Sequence, residues 1–184
     1  MVKIYTKRGD KGESDTLSRE RLPKSDPIFD VCGMIDECNA HVGVLLGYIK
    51  QDQSELYLLE RDLEKIQSHL FQLGVEVSGK RQKQTEHFLK ESDITFLEDR
   101  IDWFTDRTPA LENFILPGGA PAGAYAHVCR VYVRKLERRL VYWAKESKFD
   151  VKTALAYINR LSDYFFVLAR FINSELQHPE TIWP

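Results

Sequence analysis

Apolar residues recur every three or four positions over most of the chain, with polar and charged residues between them. The most regular series runs from Leu56 to Val77, and Gly79 follows at a position where glycine commonly ends a helix. The same spacing predicts four further helices, at about residues 28–49, 94–104, 122–145 and 152–177. Alternation with a period of two is nearly absent. The pattern therefore predicts an all-α, ferritin-like five-helix bundle with a four-helix up-down core plus one helix.

Helix boundaries follow from capping residues. Pro27 suits the first position of the first helix, which Ser25 or Asp26 would cap. Ser92 is expected to cap the third helix, which should end before Pro109. Residues 80–88, KRQKQTEHF, form a charged connector. The chain contains no internal repeat or linker, so we predict one domain over residues 1–184, which includes a polar N-terminal segment at residues 1–24.

Composition narrows the function classes. A net charge of -2 argues against general affinity for nucleic acid or an anionic membrane. No apolar run approaches the ~18 residues of a membrane span, and the first residues lack the apolar core of a secretory signal. The three cysteines are odd in number and lie in apolar helical segments. They are typical of buried thiols in a reducing cytoplasm rather than of a disulfide framework.

The fourth predicted helix carries a charged stripe. Arg130, Arg134, Glu137 and Arg138 are spaced to share one helical face. Two guanidinium groups one turn apart make a plausible clamp for a polyphosphate. The alternative is a solvated face with ion pairs between neighbouring turns, and spacing alone favours this alternative.

Two other helices carry polar residues that packing does not require. In the fifth helix, Asn159, Ser162, Asp163, Phe166 and Arg170 form a stripe in which Asn159 could bind a ribose or base and Asp163 could pair with an arginine of the fourth helix. In the first helix, Asp36 and Asn39 interrupt an apolar region. A carboxylate in such surroundings needs a cation, so an Asp36–arginine pair is expected, either within the chain or across a subunit contact.

The N-terminal stretch YTKRGDKGESDT, residues 5–16, combines two glycines with three basic residues. Composition alone leaves open a phosphate-binding loop or a disordered tail. The segment lacks the G-x-x-x-x-G-K-[ST] pattern of a P-loop. The E-x-x-H match Glu175–His178 lies at a helix end, which argues against a di-iron bundle. The scattered histidines suggest no catalytic triad.

Taken together, six segments resemble the PduO-type ATP:cob(I)alamin adenosyltransferases, also called corrinoid adenosyltransferases. In chain order they are YTKRGDKG, ERLPKSD, GMIDECNAHVG, FILPGG, RVYVRKLER and NRLSDYFFVLAR. The resemblance implies a homotrimer of five-helix bundles with active sites between subunits. It also implies transfer of the 5′-deoxyadenosyl group of ATP to the cobalt of reduced cobalamin or a related corrinoid. A reductase or a cobalamin-dependent enzyme is a further conceivable partner.

The resemblance also assigns roles. It implies that Arg134, Asp36, Arg130 and Phe114 serve catalysis, with Asp36 and Arg130 paired across subunits and Phe114 under the corrin. Corrinoid would contact Phe114, Asp36 and Asn39. ATP, with Mg²⁺ on its phosphates, would be bound by Thr6, Gly9, Asp10, Lys11, Gly12, Ser14, Lys24, Arg134, Glu137, Arg138 and Asn159.

The chain departs from the family pattern at several positions. Typical members read T-x-T-G-D-x-G-T-T in the first segment, whereas Arg8, Glu13 and Asp15 occur here. Arg19 stands where a glycine is usual, and Lys135 replaces an arginine. Carboxylates near a triphosphate are unfavourable unless they face solvent or bind the metal, and Arg8 is expected to offset them. The alternative function is therefore a divergent nucleotide- or corrinoid-binding protein with little transferase activity.

Overall fold

The computed structural model describes residues 3–51, 55–79, 88–147 and 149–184. Within these ranges it contains five α-helices, and the predicted all-α five-helix bundle is confirmed. A turn of 3-10 helix, Glu55–Tyr57, precedes the second helix. The helices are α1 Pro27–Gln51, α2 Leu58–Gly79, α3 Glu91–Thr105, α4 Pro121–Ser147 and α5 Lys152–Glu175. The predicted connector at residues 80–88 lies, except for Phe88, outside the described residues.

The helices pack through their apolar stripes. α1 packs against α2 and α4, α4 packs against α5, and α5 packs against α3. Burial of one leucine contributes about 1.5–3 kcal/mol, so this packing rather than local propensity holds the helices in place. Every member of the series that predicted α2 is buried in the core: Leu56, Leu59, Leu63, Ile66, Leu70, Leu73 and Val77.

Two helix starts test the predicted caps. Ile28 N donates to Oδ1 of Asp26 at 3.1 Å, so Asp26 rather than Ser25 caps α1. The prediction that Ser92 caps α3 is wrong, because the helix begins at Glu91 and Ser92 lies inside it. Instead, Lys90 N donates to Oδ2 of Asp93 at 3.0 Å. A carboxylate in the first turn thus accepts from the N–H of the residue that precedes the helix, whereas a cap at Ser92 would have accepted from an N–H two or three residues after it.

A short β-hairpin precedes α1 and was not predicted. Its strands, β1 Glu13–Asp15 and β2 Arg21–Pro23, pair antiparallel with Ser14 opposite Leu22. Thr16 N donates to Glu20 O at 2.8 Å to close the turn. Leu17 N donates to Oγ of Ser78 at 3.1 Å, which ties the hairpin to the end of α2.

The segment between α3 and α4 pairs with the C-terminal tail. Ile115 and Ile182 form an antiparallel bridge. On either side, Leu116 N donates to Thr181 O and Trp183 N donates to Phe114 O, both at 2.8 Å. The bridge brings two segments that are distant in sequence to one edge of the bundle. In the part of the chain described here, no helix has the length and apolar character needed to cross a membrane.

Candidate functional site

Residues 6–12 form a loop closed by backbone hydrogen bonds. Gly12 N donates to Gly9 O at 3.2 Å, and Lys24 N donates to Gly12 O at 2.8 Å. Gly12 has a φ of 78°, in the left-handed region that favours glycine. A side-chain carbon at Gly9 would lie 3.1 Å from Nζ of Lys24. The structure thus holds Lys24 beside the loop that carries the predicted residues Thr6, Asp10 and Lys11.

Arg21 organises the hairpin that follows the loop. Its Nε lies 2.8 Å from Oε2 of Glu13, its Nη1 lies 3.5 Å from Oδ1 of Asp15, and its Nη2 donates to Arg8 O at 2.6 Å. Nη2 of Arg8 lies 2.8 Å from Oδ2 of Asp15. The hydrogen bond with Glu13 raises the pKa of Arg21 despite partial desolvation. Both carboxylates that depart from the family pattern therefore have guanidinium partners, and Ser14 lies between them.

Arg134 and Arg138 extend from the exposed face of α4. Neither forms an ion pair with a carboxylate of the described residues. The neighbouring basic residues differ, since Lys135 lies 3.6 Å from Glu37 and Arg139 lies 3.7 Å from Asp30. The charged stripe predicted for this helix, Arg130, Arg134, Glu137 and Arg138, is the α4 stripe. It therefore presents two guanidinium groups, one turn apart, whose donors are available to an anion.

Glu137 and Asn159 join α4 to α5 beside these guanidinium groups. Asn159 Nδ2 donates to Oε1 of Glu137 at 3.0 Å. The bond orients both side chains, and the amide oxygen of Asn159 accepts no hydrogen bond from the described residues. Two of the residues predicted to bind ATP are therefore brought together within one chain.

Arg130 is partly buried on the same helix. Its Nε is buried without a hydrogen-bond partner in the described residues. Burial and the nearby charge of Arg134 lower the pKa of Arg130. A buried N–H donor without an acceptor is costly, so the position of Nε favours an anionic or polar partner from outside the described residues.

Asp36 does not supply that partner within the chain. It is exposed and lines a groove of 240 Å³ between α1 and α2, together with Cys32, Asn39 and Phe71. Of the two arrangements expected for an Asp36–arginine pair, the intrachain one is absent from the described residues, where Asp36 and Arg130 form no ion pair. The arrangement across a subunit contact stays a prediction.

Asn39 is buried at the base of this groove. Its Nδ2 donates to Gln67 O at 3.4 Å, and Gln67 Nε2 donates to Asn39 O at 3.2 Å. Its Oδ1 is buried and has no partner in the described residues. One end of the amide is thus fixed to α2, while the other keeps an unused acceptor.

The expected polar stripe of α5 divides into separate groups. Asp163 lies 3.5 Å from Nη1 of Arg160 on its own helix, so the expectation that it pairs with an arginine of α4 is wrong. Arg160 is nearer in sequence and on the same face, which makes this pairing local. Arg170 is buried and pairs with Glu180 of the C-terminal tail at 2.8 Å.

Phe114 lies at the edge where the α3–α4 segment meets the tail. Its side chain is 78% exposed and that of Trp183 is 59% exposed. The two rings meet edge to face, with centroids 6.4 Å apart. Together with Leu111 and Pro184 they line a shallow pocket of 460 Å³. Exposed aromatic rings held by backbone pairing form a surface suited to a flat apolar partner.

The sequence model of the cobalamin adenosyltransferase family matches residues 4–172. The chain belongs to this family. The resemblance drawn from the six sequence segments is thus confirmed, and the chain is an adenosyltransferase of this family.

Curated relatives agree with this assignment over most of the chain. A corrinoid adenosyltransferase of Bacillus subtilis is 37% identical over 94% of this chain and 88% of its own length. The human corrinoid adenosyltransferase is 36% identical and is matched over 100% of this chain and 74% of its own length. A PduO-type ATP:corrinoid adenosyltransferase variant from Lactobacillus reuteri, solved with cobalamin and ATP, has a TM-score of 0.90, 36% identity, and coverage of 98% of this chain and 99% of its own.

Sequence reasoning missed three residues that the structure places beside predicted site residues or the segments that carry them. Arg21 belongs to the recognised ERLPKSD segment, but its role in pairing Glu13 and Asp15 depends on the unpredicted hairpin. Asn173 contacts the backbone of the α3–α4 segment. His127 is buried one turn before Arg130, and neither ring nitrogen has a partner in the described residues. For Asn173 and His127, only their polar character within apolar helices could have indicated them.

A metal site formed by the protein alone is not evident. In the described ranges, no three His, Cys, Asp or Glu side chains lie close enough to hold a metal ion. Asp10 lies in an exposed loop whose other side chains are chiefly basic or neutral.

Proposed function

We propose that this protein transfers the 5′-deoxyadenosyl group of ATP to the cobalt of reduced cobalamin or a related corrinoid. The products are adenosylcobalamin and triphosphate. The observation that carries the proposal is the structural match over 98% of the chain to a relative solved with both cobalamin and ATP. The alternative of a binding protein rested on the departures from the family pattern in and after the loop at residues 6–12, and the ion pairs of Glu13 and Asp15 weaken that alternative.

The nucleotide would lie between the loop at residues 6–12 and the charged stripe of α4 that carries Arg134 and Arg138. Mg²⁺ would bind the triphosphate oxygens, since hard oxygen ligands suit it. Arg134 and Arg138 supply cationic donors for the phosphates, while the Asn159–Glu137 pair suits the ribose or base. The loop residues assigned to the triphosphate are Thr6, Gly9, Asp10, Lys11, Gly12, Ser14 and Lys24.

The chemistry needs no nucleophile from the protein. Reduced cobalt supplies an electron pair to C5′ of ATP, a Co–C bond forms, and the C5′–O bond breaks with its electrons passing to the triphosphate. The protein holds the reactants in line and offsets charge on the leaving group. Arg134 and Lys24 suit that task because their donors are not committed to carboxylates of the described residues.

A complete site requires a second subunit. No hydrogen bond or ion pair within the described residues joins the loop at residues 6–12 to the α4 stripe. Arg130 has a buried, unpartnered Nε, and Asp36 is an exposed carboxylate on another face. A homotrimer in which Asp36 of one protomer pairs with Arg130 of the next would give each of these two groups an oppositely charged partner.

The corrinoid would lie against Phe114 and the groove that contains Asp36 and Asn39. An apolar ring under the corrin excludes water and a lower axial ligand, which makes reduction of the cobalt easier. The reductant is supplied by another protein or by chemistry outside this chain. The free thiols are consistent with a protein that functions in a reducing cytoplasm; they are Cys32, Cys38 and Cys129.

An anaerobic assay with ATP, Mg²⁺ and chemically reduced cobalamin tests the proposal. Adenosylcobalamin should form with the wild type, and Arg134→Ala should abolish its formation. Arg139→Ala is the matched control, because Arg139 is exposed on the same helix and pairs with Asp30 instead. If the wild type binds ATP and cobalamin in calorimetry but forms no product, the chain is a binding protein and not a transferase.

A further inference from the structure

The side chain of Phe114, on the α3–α4 segment, makes few contacts of its own. Phe114 is 78% exposed, and its ring contact in the described chain is with the equally peripheral Trp183. Packing therefore does not fix the position of the Phe114 ring. Its position depends on how the backbone of the segment is anchored to the bundle.

Asn173 provides one anchor from inside α5. Its side chain is buried, with 3% exposed. Oδ1 accepts a hydrogen bond from Ala120 N at 3.0 Å, and Nδ2 donates to Gly118 O at 2.9 Å. One amide thus binds the backbone on both sides of Gly119. An aspartate offers no donor for Gly118 O, and an aliphatic residue would leave two backbone groups unsatisfied.

Two glycines make room for this amide. Gly119 has a φ of 107°, in the left-handed region, and a Cβ there would collide with the Asn173 amide. A Cβ at Gly123, in the first turn of α4, would collide with the same amide. The close approach of the backbone to the Asn173 amide therefore requires glycine at both Gly119 and Gly123.

Arg170, one turn earlier on α5, provides a second anchor. Its Nε and Nη2 donate to Glu180 at 2.8 and 3.0 Å, and Nη2 also donates to Pro109 O at 2.8 Å. Arg170 therefore holds the start of the α3–α4 segment and the tail, while Asn173 holds the end of the segment. The Ile115–Ile182 bridge lies between these anchors.

We propose that Asn173 is a positioning residue that, by binding Gly118 and Ala120, fixes Phe114 for its contact with the corrinoid. This inference rests on the proposed adenosyltransferase function. Asn173 itself touches neither substrate nor reacting atoms. It acts through the backbone between Gly118 and Phe114. Its loss should therefore disturb the corrinoid step and leave intact the nucleotide site on the exposed face of α4.

The test compares Asn173→Ala and Gly119→Ala with the wild type. The first variant removes the anchor and the second forces the backbone away from an intact Asn173. Both should lower kcat by about 10- to 100-fold, the loss expected when a reacting partner is misplaced by about 1 Å. Both should also lower the fraction of ATP-bound cob(II)alamin whose absorption spectrum shows loss of the lower axial ligand. The KM for ATP should change less than about twofold.

Asp62→Asn is the control for general destabilisation. It removes the negative charge from the Asp62–Arg100 pair between α2 and α3, at 2.6 Å, and should leave the cobalt spectrum and kcat as in the wild type. If Asn173→Ala does not fold, Gly119→Ala gives the same readouts. The proposal is overturned if a folded variant keeps the wild-type spectrum and kcat, or if the KM for ATP rises in parallel. If the wild type itself transfers nothing, the proposed function fails and the positioning role with it.

Discussion

Nη2 of Arg8 lies 2.8 Å from Oδ2 of Asp15, and both residues depart from the pattern typical of the adenosyltransferase family. Arg21 lies between Asp15 and Glu13 and completes the network. An added carboxylate beside a triphosphate site would repel the nucleotide, whereas a paired one changes the local charge little. The departures therefore compensate one another.

Arg8→Ala should raise the KM for ATP by about two- to fivefold, because Asp15 then has less cationic compensation. The double variant Arg8→Ala/Asp15→Ala should return the KM toward the wild-type value. Transfer kinetics at low salt measure both effects, and the difference between variants should shrink at about 1 M salt, where exposed charges are screened. Additive effects in the double variant would show that the two residues act independently.

Arg19 is the second departure with a structural consequence. Its φ of 63° lies in the left-handed region, and the family usually has glycine here. Arg19→Gly should raise the free energy of unfolding by no more than about 1 kcal/mol, because relief of strain exceeds the added freedom of the unfolded chain. Denaturant unfolding measures the change. Leu17→Gly, in the same turn but without a positive φ, should lower the stability instead, and equal effects of both variants would contradict this account.

Charge reversals at Arg130 and Asp36 test whether the two residues pair across the subunit interface of a trimer. If they pair across subunits, Arg130→Asp and Asp36→Arg should each reduce the trimer fraction in sedimentation and reduce transfer, because a charge is left unpaired in the interface. The charge swap that combines both should recover a large part of the trimer and of the activity. A single variant that remains fully trimeric and active would exclude this pair as an interface contact.

The helices were predictable because their burial is periodic. The series from Leu59 to Val77 occupies one stripe, and that stripe is the core face of α2, while Leu56 is buried in the 3-10 turn before it. The hairpin was not predictable in the same way, since three-residue strands carry too few positions to show a period. Its formation depends on long-range partners, among them Ser78 for Leu17, which no local pattern encodes.

The candidate site was predictable only in part, for a related reason. Glu137 and Asn159 belong to recognisable segments, and the structure brings them to 3.0 Å. Asn173 belongs to no such segment, because its partners are backbone groups of the Gly118–Ala120 stretch and backbone groups leave no signature in composition. Asp163 was assigned to the wrong partner because spacing identifies a helical face but does not rank the cations near it.

His127 predicts a pH dependence of stability. Burial, followed by the charge of Arg130, lowers the pKa of His127 to about 4, against 6.5 for an unperturbed histidine, while Glu180 opposes the shift. Between these values the unfolded chain binds a proton that the folded chain does not. Stability therefore falls as pH falls through 6.5 toward 4, and His127 should account for roughly 2 kcal/mol of loss between pH 7 and pH 5. Burial also lowers the pKa of His69, which adds a loss of the same sign.

Denaturant unfolding at several pH values separates the contribution of His127. His127→Leu removes the titrating group, so its free energy of unfolding should fall less steeply between pH 7 and pH 5 than that of the wild type, whatever its absolute stability. His178→Leu is the matched control, because His178 is exposed beyond the end of α5 and should keep the wild-type dependence. Equal slopes for His127→Leu and the wild type would mean that the buried ring is stabilised in its protonated form in the folded protein, for which the charge of Glu180 is a candidate.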